Sequence, residues 1–497
     1  MPTYYPSYEQ FERLAAPGAR VPVYRQLLAD TLTPVAAFRK VEDPEYSFLL
    51  ESIVGGERIA QYSFVGSRPF AIFTARRDEV TITEGDRSRS FKAANPFTSL
   101  QEFLQSVKFA HPGNLPRFCS GAVGYAAYDA IRYVENLPNS PPDDIKTPDM
   151  YFAFYDSMLI FDHLNNTVKV LACADAGKLT PKDAYARACE RIDAMVEQLR
   201  RPTMILSDDI SSAGAVSLNY TSNFTKEAYC DAVKRVKEYI FAGDIFQIVL
   251  SQRLTAQTNA DPFNIYRTLR MVNPSPYMFY LKMKGLRLIG SSPEVMVRVE
   301  GDKITLRPIA GTRPRGKTPE EDQALARELL ADEKERAEHV MLVDLGRNDV
   351  GRTARYGTVS VDECMVIERF SHVLHITSEV TGQLKPGATA VDTLQSCLPA
   401  GTVSGAPKVR AMQIIDEFEP TRRGPYAGAV GYFDFAGNMD TCIALRTVIY
   451  QDGKAIVQAG GGIVADSVPA NEYEETLNKA RALLKAIEIA EKYPPLP

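Results

Sequence analysis

Two pairs of glutamates, each spaced three residues apart, are the residues in this chain best suited to do chemistry. Glu335 and Glu338 lie in DEKERAEHVMLVDLGRND, and Glu472 and Glu475 lie in SVPANEYEETLNKA. A spacing of three places both carboxylates of a pair on one helix face. Two carboxylates about 4 Å apart repel by roughly 4 kcal/mol at an effective dielectric constant of ~20, so four converging carboxylates need a cation. Carboxylate oxygens suit Mg²⁺, and the pattern predicts a magnesium site that holds an anionic small molecule.

Two glycine-rich segments accompany the glutamates. GTVSGAPK (401–408) lacks the GK[ST] ending of a P-loop, and no GxGxxG follows a strand, so nucleotide binding is not indicated. The segment can offer the Thr402 hydroxyl and close backbone amides to an anion, although an ordinary turn is the alternative. Gly460, Gly461 and Gly462 follow a predicted strand, where bare N–H groups suit a carboxylate and a flexible turn is again the alternative.

His375, in the strand-like run SHVLHITSEV, is a candidate proton carrier because its side chain titrates near neutral pH. A lone histidine in a strand is more often structural. The glutamate pairs have an alternative as well, since paired glutamates on a helix usually form a solvated face. The apolar run HVMLVDL after Glu338 indicates that this helix is partly buried, where a carboxylate needs a partner or a metal.

Composition excludes several classes of function. The 497 residues carry a net charge of −5, which does not favour nucleic-acid binding. No apolar run approaches ~20 residues, so no membrane span is predicted. The N-terminal sequence lacks the features of a signal peptide, and the seven cysteines are scattered without a CxxC pair, so free thiols in a reducing cytoplasm are expected. No HExxH occurs, and a zinc site is not indicated.

The elements that must position these residues follow from hydrophobic periodicity. Amphipathic helices are predicted at 181–199 and 225–242, and a polar stretch at 200–223 is the best linker candidate. The sequence also predicts strands at 151–162 and 244–254, one helix over 319–345 that carries the first glutamate pair, and a last helix capped by Asn471. Many strands with segregated long helices indicate an α+β fold.

Several motifs together resemble the chorismate-utilising enzymes: IAGTRPRG (309–316), DEKERAEHVMLVDLGRND, GTVSGAPK, RRGPYAGAVGYF (422–433) and QAGGGIVADSVPANEYEETLNKA (458–480). The resemblance is strong from about residue 225 onward and looser in LLES (49–52) and GAVGYAAYD (121–129). It implies two antiparallel sheets packed as a sandwich with flanking helices. It also implies an N-terminal part, 1–222, with feedback-site elements and a chorismate-binding catalytic part, 223–497, intertwined in one structural unit.

The resemblance also implies a role for each site residue. Glu338 and Glu475 resemble Mg²⁺ ligands, and Glu335 and Glu472 resemble second carboxylates that act directly or through water. The metal would bind the ring carboxylate of chorismate. Residues that resemble catalytic groups are Glu294, the acid for the departing C4 hydroxyl, His375, which serves the later elimination, Thr402 and Gln247. Residues that resemble substrate contacts are Tyr426, Arg446, Gly460, Gly461, Gly462, Ala310, Gly311, Thr312 and Lys479.

Two positions discriminate among branches of the family. Water-using isochorismate and salicylate synthases carry a lysine base at the position of Gln247, and aminodeoxychorismate synthases carry a nucleophilic lysine at the position of Ala310. Both absences favour the anthranilate-forming branch, in which a lyase joins ammonia to chorismate and releases pyruvate from 2-amino-2-deoxyisochorismate. The other branches remain alternatives, as does an inactive sensor that only binds tryptophan.

A regulatory site is also implied by resemblance. LLES and NPSPYMF resemble a feedback site for L-tryptophan, and a chain without any tryptophan suits an enzyme that must be translated when tryptophan is scarce, although chance is equally plausible. The residues expected to contact this inhibitor are Leu50, Glu51, Ser52, Asn273, Pro274, Pro276, Tyr277 and Met278.

A partner subunit is implied because no cysteine lies in a GxCxG elbow, so no glutaminase is encoded in this sequence. The resemblance implies a separate glutamine amidotransferase subunit, usually in an α₂β₂ heterotetramer, that supplies ammonia. Alone, the chain is expected to use free ammonia at raised pH, since only NH₃ is nucleophilic.

Overall fold

The computed structural model describes residues 2–52, 61–177, 179–202, 209–211, 214–369 and 373–493. The helices of this part of the chain are α1 (Tyr8–Leu14), α2 (Pro34–Val41), α3 (Pro96–Ser106), α4 (Pro181–Arg200), α5 (Lys226–Phe241), α6 (Pro262–Val272), α7 (Pro319–Ala331), α8 (Glu333–Gly351), α9 (Ala390–Cys397), α10 (Lys408–Phe418) and α11 (Pro469–Ala490). Short 3-10 helices span Tyr128–Tyr133 and Gly401–Val403.

The strands of the same part are β1 (Arg20–Leu28), β2 (Ser47–Glu51), β3 (Tyr62–Ser67), β4 (Ala71–Arg76), β5 (Glu79–Glu84), β6 (Arg87–Lys92), β7 (Gly121–Ala126), β8 (Met150–Tyr155), β9 (Ser157–Asp162), β10 (Thr167–Asp175), β11 (Thr221–Ser222), β12 (Gln247–Gln257), β13 (Tyr277–Met283), β14 (Leu286–Ser292), β15 (Val295–Glu300), β16 (Lys303–Leu306), β17 (Ile309–Pro314), β18 (Ser360–Arg369), β19 (Val373–Gln383), β20 (Gly405–Ala406), β21 (Ala429–Asp434), β22 (Met439–Ile443), β23 (Thr447–Gln451) and β24 (Lys454–Ile463).

These strands form two antiparallel sheets, and each sheet combines strands from both ends of the chain. The first has the order β1-β10-β9-β3-β2-β13-β14-β23-β24-β12-β11, with β20 against β12. The second has the order β17-β19-β16-β15-β22-β21-β7-β8-β4-β5-β6, with β18 against β19. In the first sheet β2 pairs with β13, and in the second β7 pairs with β21. The predicted parts 1–222 and 223–497 therefore share both sheets, while the boundary between them stays a prediction.

The two sheets pack face to face because each presents an apolar face to the other. Leu171 and Phe279 of the first sheet belong to one buried cluster with Val123 and Ala153 of the second. A second cluster fills the space between the first sheet and helices that include α4, α6 and α11. A third covers the outer face of the second sheet beneath α3 and α9. The expected α+β sandwich with flanking helices is confirmed.

The strand predicted at 151–162 is wrong in one respect, because the chain changes sheets in its middle. β8 ends at Tyr155 in the second sheet, and β9 begins at Ser157 in the first. Asp156 stands between them, and its carboxylate pairs with Arg191 at 2.6 Å. The apolar run is continuous because both strands are buried, so periodicity could not reveal the crossing.

The single helix predicted over 319–345 is also wrong, since it is two helices that meet at Asp332. The Asp332 side chain caps α8 by accepting hydrogen bonds from the amides of Lys334 and Glu335. The helix predicted at 181–199 is confirmed as α4. The last helix begins at Pro469 and not at Asn471, and its N-cap residue, Val468, makes no side-chain cap.

The predicted linker 200–223 is only partly visible, because residues 203–208 and 212–213 lie outside the described residues. Its far end is tied to the fold. The Ser217 amide donates a hydrogen bond to the Glu488 carboxylate at 2.9 Å, and β11 pairs with β12. Within the described ranges, none of the helices is long and apolar enough to cross a membrane.

Arg423 ties the elements of the C-terminal half together from within the core. Its side chain is only 1% exposed and pairs with Glu419, whose side chain is 2% exposed, at 2.6 Å. The same guanidinium donates to the carbonyl of Val249 on β12 at 2.7 Å and to the carbonyl of Val403 in the 3-10 helix at 2.6 Å. Glu419 in turn accepts the backbone amide of Ser251 at 2.8 Å. One ion pair therefore fixes α10, β12 and the Gly401–Val403 helix relative to each other.

We expect Arg423→Ala to lower the free energy of unfolding by about 3–5 kcal/mol, because it leaves Glu419 as an uncompensated buried charge. Urea unfolding followed by far-UV circular dichroism would measure the loss. The matched control is Arg235→Ala, which removes an exposed partner of Glu417 at 3.3 Å and should cost less than about 1 kcal/mol. Equal losses in the two variants would contradict this account.

Candidate active site

A cavity of about 580 Å³ lies where α8 and α11 meet the ends of β12 and β24. Most residues predicted for catalysis, metal binding and substrate binding line it: Gln247, Glu294, Ala310, Thr312, Glu338, His375, Thr402, Tyr426, Arg446, Gly460, Gly462, Glu472, Glu475 and Lys479. Of the residues predicted for these three roles, Gly311, Glu335 and Gly461 are not part of this lining. The structure thus brings together residues that are far apart in the sequence.

Three of the four predicted glutamates face this cavity from two helices. Glu338, on α8, accepts a hydrogen bond from the Gln247 amide at 3.2 Å. Glu475, on α11, pairs with Lys479 one turn later at 2.7 Å. The Oε2 atom of Glu472 is buried and has no hydrogen-bond partner among the described residues. An orphaned carboxylate oxygen beside two other carboxylates is costly, and a cation would stabilise it.

Burial raises the pKa of two of these carboxyls. The pKa of Glu338 is raised first by desolvation, and the negative charges of Glu335 and Glu475 add to it. The pKa of Glu472 is raised first by desolvation and then by the charge of Glu475, while a hydrogen bond from Ser467 opposes the shift. Like charges therefore face each other across this end of the cavity.

The fourth glutamate, Glu335, is turned away from the other three. Its carboxylate accepts a hydrogen bond from Arg313 at 3.1 Å, and the same guanidinium binds Asp332 at 2.9 Å and Glu328 at 3.1 Å. Within the described residues, no set of three or more acidic, histidine or cysteine side chains is already arranged to hold a metal ion. The chemistry of Glu338, Glu472 and Glu475 nevertheless fits Mg²⁺, because all three offer carboxylate oxygens to one cavity and one oxygen is orphaned.

Glu294 is a buried acid in the turn between β14 and β15. Burial raises its pKa from 4.5 to about 7, and the hydrogen bond from Thr402 opposes that shift only in part. The Thr402 hydroxyl donates to Glu294 Oε1 at 3.0 Å. Thr402 is presented by the 3-10 helix that Arg423 holds. A carboxyl that keeps its proton near neutral pH can act as a general acid.

His375, on β19, is oriented by a bulge in the neighbouring strand. The pairing of β17 with β19 is interrupted between Ala310 and Thr312, and the intervening Gly311 has a φ of +65°. Its carbonyl lies 2.7 Å from His375 Nδ1, so Nδ1 carries the proton and Nε2 is the basic nitrogen. Burial lowers the pKa of His375, which favours the neutral imidazole at physiological pH.

Arg446 places a positive charge in the lining of the cavity. It follows β22 with a φ of +46° and lines the cavity, and it makes no ion pair with any carboxylate of the described residues. Burial lowers its pKa, which is the cost of holding an unpaired guanidinium away from water. An anionic ligand would remove that cost.

The glycine triplet lies inside β24 and not after it, and close packing explains why glycine is needed there. A Cβ at Gly460 would come within 3.0 Å of the Tyr426 hydroxyl, and one at Gly462 would come within 2.8 Å of Gln247 Nε2. A Cβ at Gly461 would lie 3.2 Å from Glu472 Oε2. Bare backbone thus lets polar side chains approach this wall of the cavity. The interpretation of the triplet as a turn is wrong.

The GTVSGAPK segment contacts both the cavity and the neighbouring helix α8. Thr402 faces the cavity, whereas Lys408 turns away and binds both carboxylate oxygens of Asp349, on α8, at 2.8 Å. Among the polar residues of the lining, sequence reasoning missed Ser275, Lys334, Gln458 and Ser467. Lys334 stands four residues before Glu338 on the same helix face, so its position could have been predicted.

A second cavity, of about 430 Å³, contains most of the residues predicted to bind tryptophan. Leu50, Glu51, Ser52, Pro276, Tyr277 and Met278 line it. The other two predicted residues, Asn273 and Pro274, line the first cavity, and Pro276 lines both. Pro276 is therefore the residue of this segment that the linings of the two cavities share.

Two polar features stand at the second cavity. The Ser52 hydroxyl oxygen is buried and has no hydrogen-bond partner within the described residues. At another wall, the Tyr277 hydroxyl donates to Asp440 at 2.9 Å, and Arg298 pairs with the same carboxylate at 2.9 Å. Most of the lining is apolar or aromatic, with charged side chains among it (Glu51, Arg117, Arg298, Glu300 and Asp440), and such a mixture is typical of a small-molecule site.

Comparisons with known proteins agree with the motifs. A family described as chorismate binding enzyme matches residues 45–485. The chain is 49% identical to anthranilate synthase component 1 of Acetivibrio thermocellus, over 98% of this chain and 99% of that protein. The crystal structure of anthranilate synthase component I from Streptococcus pneumoniae TIGR4 matches with a TM-score of 0.77 and 37% identity, over 92% of this chain and 99% of that one.

A more distant match supports the fold alone. The menaquinone-specific isochorismate synthase from Escherichia coli matches with a TM-score of 0.69 and 18% identity, over 97% of this chain and 99% of that one.

The raised pKa of Glu294 has a consequence for stability. Between about pH 4.5 and pH 7 the folded chain keeps a proton that the unfolded chain loses, so stability from this group is greatest at low pH and falls as the pH rises through about 7. Relative to Glu294→Gln, we expect the wild type to lose on the order of 3 kcal/mol of unfolding free energy over that range. Urea unfolding of both proteins at several pH values measures it, and a pH-independent difference would refute the assignment.

Proposed function

This chain belongs to the family of chorismate-binding enzymes and is an enzyme of the anthranilate synthase type, and we propose that it is the large subunit that converts chorismate and ammonia to anthranilate and pyruvate. The observation that supports this most directly is the composition of the first cavity. It combines a buried protonated carboxyl at Glu294, an unpaired guanidinium at Arg446 and a group of carboxylates led by Glu338. Neither Gln247 nor Ala310 supplies the lysine of the other branches.

Chorismate is a dianion, and we propose that the two ends of the cavity bind its two carboxylates differently. Arg446, the Tyr426 hydroxyl and the backbone of the glycine triplet bind the enolpyruvyl carboxylate. The ring carboxylate lies at the other end, beside Glu338 and Glu475. Carboxylates cannot bind a carboxylate without a cation between them, which is why Mg²⁺ is the expected cofactor.

Glu338, Glu472 and Glu475 would hold the metal, and Glu335 would join them directly or through water after release from Arg313. When bound, Mg²⁺ neutralises the ring carboxylate and orients the ring. The orphaned oxygen of Glu472 gains a partner in that state. Lys479, which bridges Glu475 and the carbonyl of Gly460, keeps α11 in register with β24 at the site.

The first chemical step needs an acid, because hydroxide is a poor leaving group. Glu294 donates its proton to the C4 hydroxyl, which leaves as water while ammonia forms a bond to C2 and the ring double bonds shift. The Thr402 hydroxyl holds Glu294 in position and stabilises the carboxylate that remains. The product of this step is 2-amino-2-deoxyisochorismate. Gln247 is not a base, and none is needed because ammonia is already nucleophilic.

The second step removes a proton from C2 and expels pyruvate from C3, which makes the ring aromatic. We assign this step to His375, and the assignment is supported by the Gly311 carbonyl, which keeps the proton on Nδ1 and leaves Nε2 as the basic nitrogen. Ala310, Gly311 and Thr312 form the bulged strand that fixes the imidazole. Aromatisation supplies the driving force.

We further propose that L-tryptophan inhibits the enzyme from the second cavity. The orphaned Ser52 hydroxyl and the apolar lining suit an amino acid with a large ring. A ligand there contacts Pro276, which also lines the first cavity. Ligand binding in the second cavity therefore changes the affinity of the first for its ligand. The alternative is an inactive sensor that binds tryptophan in the same cavity but does not convert chorismate. An activity assay distinguishes the two.

A glutamine amidotransferase subunit in an α₂β₂ assembly is the proposed source of ammonia in the cell. The names of the relatives, anthranilate synthase component 1 and component I, agree with the existence of a second component. The sequence offers no glutaminase cysteine, so the isolated chain should depend on added ammonium. We propose a cytoplasmic location for this chain, because its cysteines are free thiols and thiols are kept reduced in that compartment.

The proposed reaction is tested by fluorescence detection of anthranilate with the purified chain, chorismate, Mg²⁺ and ammonium at mildly alkaline pH. We expect anthranilate to form and its formation to stop with EDTA, because the carboxylate group then has no cation. Isochorismate, salicylate or aminodeoxychorismate as the product would place the chain in another branch. Binding of L-tryptophan without chorismate consumption would favour the sensor.

The proposed inhibitor site is tested by Ser52→Phe, which fills the second cavity without touching the first. We expect half-inhibition by L-tryptophan to require at least a tenfold higher concentration, since about 1.4 kcal/mol of lost binding suffices for that change, while activity without tryptophan stays near wild type. Ser88→Phe, on the exposed β6, is the control and should leave inhibition unchanged. Unaltered inhibition in Ser52→Phe would rule out this cavity.

A further inference from the structure

A third cavity, of about 330 Å³, lies between the start of α2 and one face of α6, outside the lining of the two cavities described above. Its lining contains three arginines and, within the described residues, no acidic side chain: Thr33, Val35, Ala36, Arg39, Ile210, Phe263, Asn264, Arg267, Thr268, Arg270 and Tyr493. Its volume is at the lower end of the range of small-molecule sites.

Among the described residues, Arg267 is the arginine of this cluster that makes no ion pair. Arg39 pairs with Glu42 at 2.8 Å and with Asp261 at 3.1 Å, and Arg270 pairs with Glu51 at 2.9 Å. The described part of the chain offers Arg267 no carboxylate within ion-pair distance. Its guanidinium instead donates to the Asn264 side chain at 2.9 Å, which fixes its direction.

The cluster holds an excess of positive charge at some cost. The pKa of Arg267 is lowered by burial first and then by the positive charge of Arg39. The four cations Arg39, Arg267, Arg270 and Lys282 are accompanied by three carboxylates, those of Glu42, Asp261 and Glu51, which leaves one positive charge in excess. The Nε atom of Arg39 is buried and has no hydrogen-bond partner among the described residues. A partly buried guanidinium that lacks a carboxylate partner beside other positive charges is costly, and a bound anion would remove that cost.

The remaining lining adds to this preference for an anion with an apolar body. The first turn of α2, from Pro34, faces the cavity through Val35 and Ala36, and the positive end of a helix dipole attracts negative charge. Phe263 is only 1% exposed, because the Arg39 guanidinium lies 4.8 Å from its ring centroid and the Phe38 ring stacks on it at 4.7 Å. A planar carboxylate matches a guanidinium by two hydrogen bonds, and an attached apolar group can pack on Val35, Ala36 and Ile210.

We propose that this cavity is a binding site for a small organic carboxylate, with Arg267 as its principal anchor and Arg39 and Arg270 as flanking donors. The carboxylate lies against the Arg267 guanidinium and the first turn of α2. Its apolar body contacts Val35, Ala36 and Ile210. This inference does not depend on the proposed reaction, because none of these residues lines the first cavity.

Three probes separate the contributions of charge and of the apolar body. Benzoate carries both, inorganic phosphate carries charge alone, and benzyl alcohol carries the ring alone. Binding to the purified full chain is followed by isothermal titration calorimetry. We expect benzoate to bind more tightly than phosphate, and benzyl alcohol not to bind measurably. Equal affinity for benzoate and phosphate would overturn the assignment to an organic ligand.

Four variants assign the binding to this cavity and not to Arg446 in the first. Arg267→Gln should weaken benzoate binding about tenfold or more, as expected for loss of a charged hydrogen-bond pair. Arg267→Lys keeps the charge but not the planar fork, and should retain part of the affinity. Ala36→Leu narrows the cavity without changing any charge and should also weaken binding. Arg327→Gln, an exposed arginine on α7, is the control and should bind as wild type does.

Absence of benzoate binding to the wild type, or equal binding by wild type, Arg267→Gln and Ala36→Leu, would overturn the proposal. Circular dichroism of each variant establishes that it is folded. Because Ala36→Leu tests the same cavity without touching an arginine, the proposal remains open to refutation even if Arg267→Gln does not fold.

Discussion

The buried guanidinium of Arg423 is the constraint on which the active-site half of the molecule depends. A fully desolvated ion pair is stabilising only if both partners are saturated with hydrogen bonds, and Arg423 and Glu419 meet that condition through backbone groups of β12 and the Gly401–Val403 helix. These hydrogen bonds require a precise geometry, so the ion pair fixes the positions of the backbone groups that it contacts. Thr402, and through it the Glu294 carboxyl, inherits that precision from a residue that does not line the cavity itself.

The cavity is organised by contrasting environments for the same side-chain type. Glu294 is surrounded by protein and keeps its proton to near neutral pH, whereas Glu335 is ionised beside the Arg313 guanidinium, 3.1 Å away. Glu338 and Glu472 lie between these extremes, buried enough to be raised in pKa yet close to other carboxylates. Burial and neighbouring charges give these carboxyl groups different pKa values. Glu294 can therefore serve as a proton donor and Glu338 and Glu472 as cation ligands, while Glu335 stays bound to an arginine.

Much of the fold and the site could be predicted from the sequence, and the failures have local physical causes. The i, i+3 spacing correctly placed Glu335 with Glu338 and Glu472 with Glu475 on helices. It could not show that Glu335 is held by Arg313, because that contact joins different elements. The break at Asp332 was missed because aspartate can continue a helix or cap a new one, and only the two amides it accepts decide between them. The glycine triplet resembled a turn because the side chains that require bare backbone come from distant segments.

The interleaving of both chain halves in each sheet has a consequence for synthesis of the protein. β2 must wait for β13, and β7 for β21, before either can form its final hydrogen bonds. At translation rates of about 5–20 residues per second, that wait is on the order of tens of seconds. Phe48 and Leu49, both fully buried at the end, leave the ribosome as an open apolar edge during this interval, so the nascent chain is exposed to aggregation and to chaperone capture. Premature termination would accordingly leave two unfinished sheets and not a smaller folded protein.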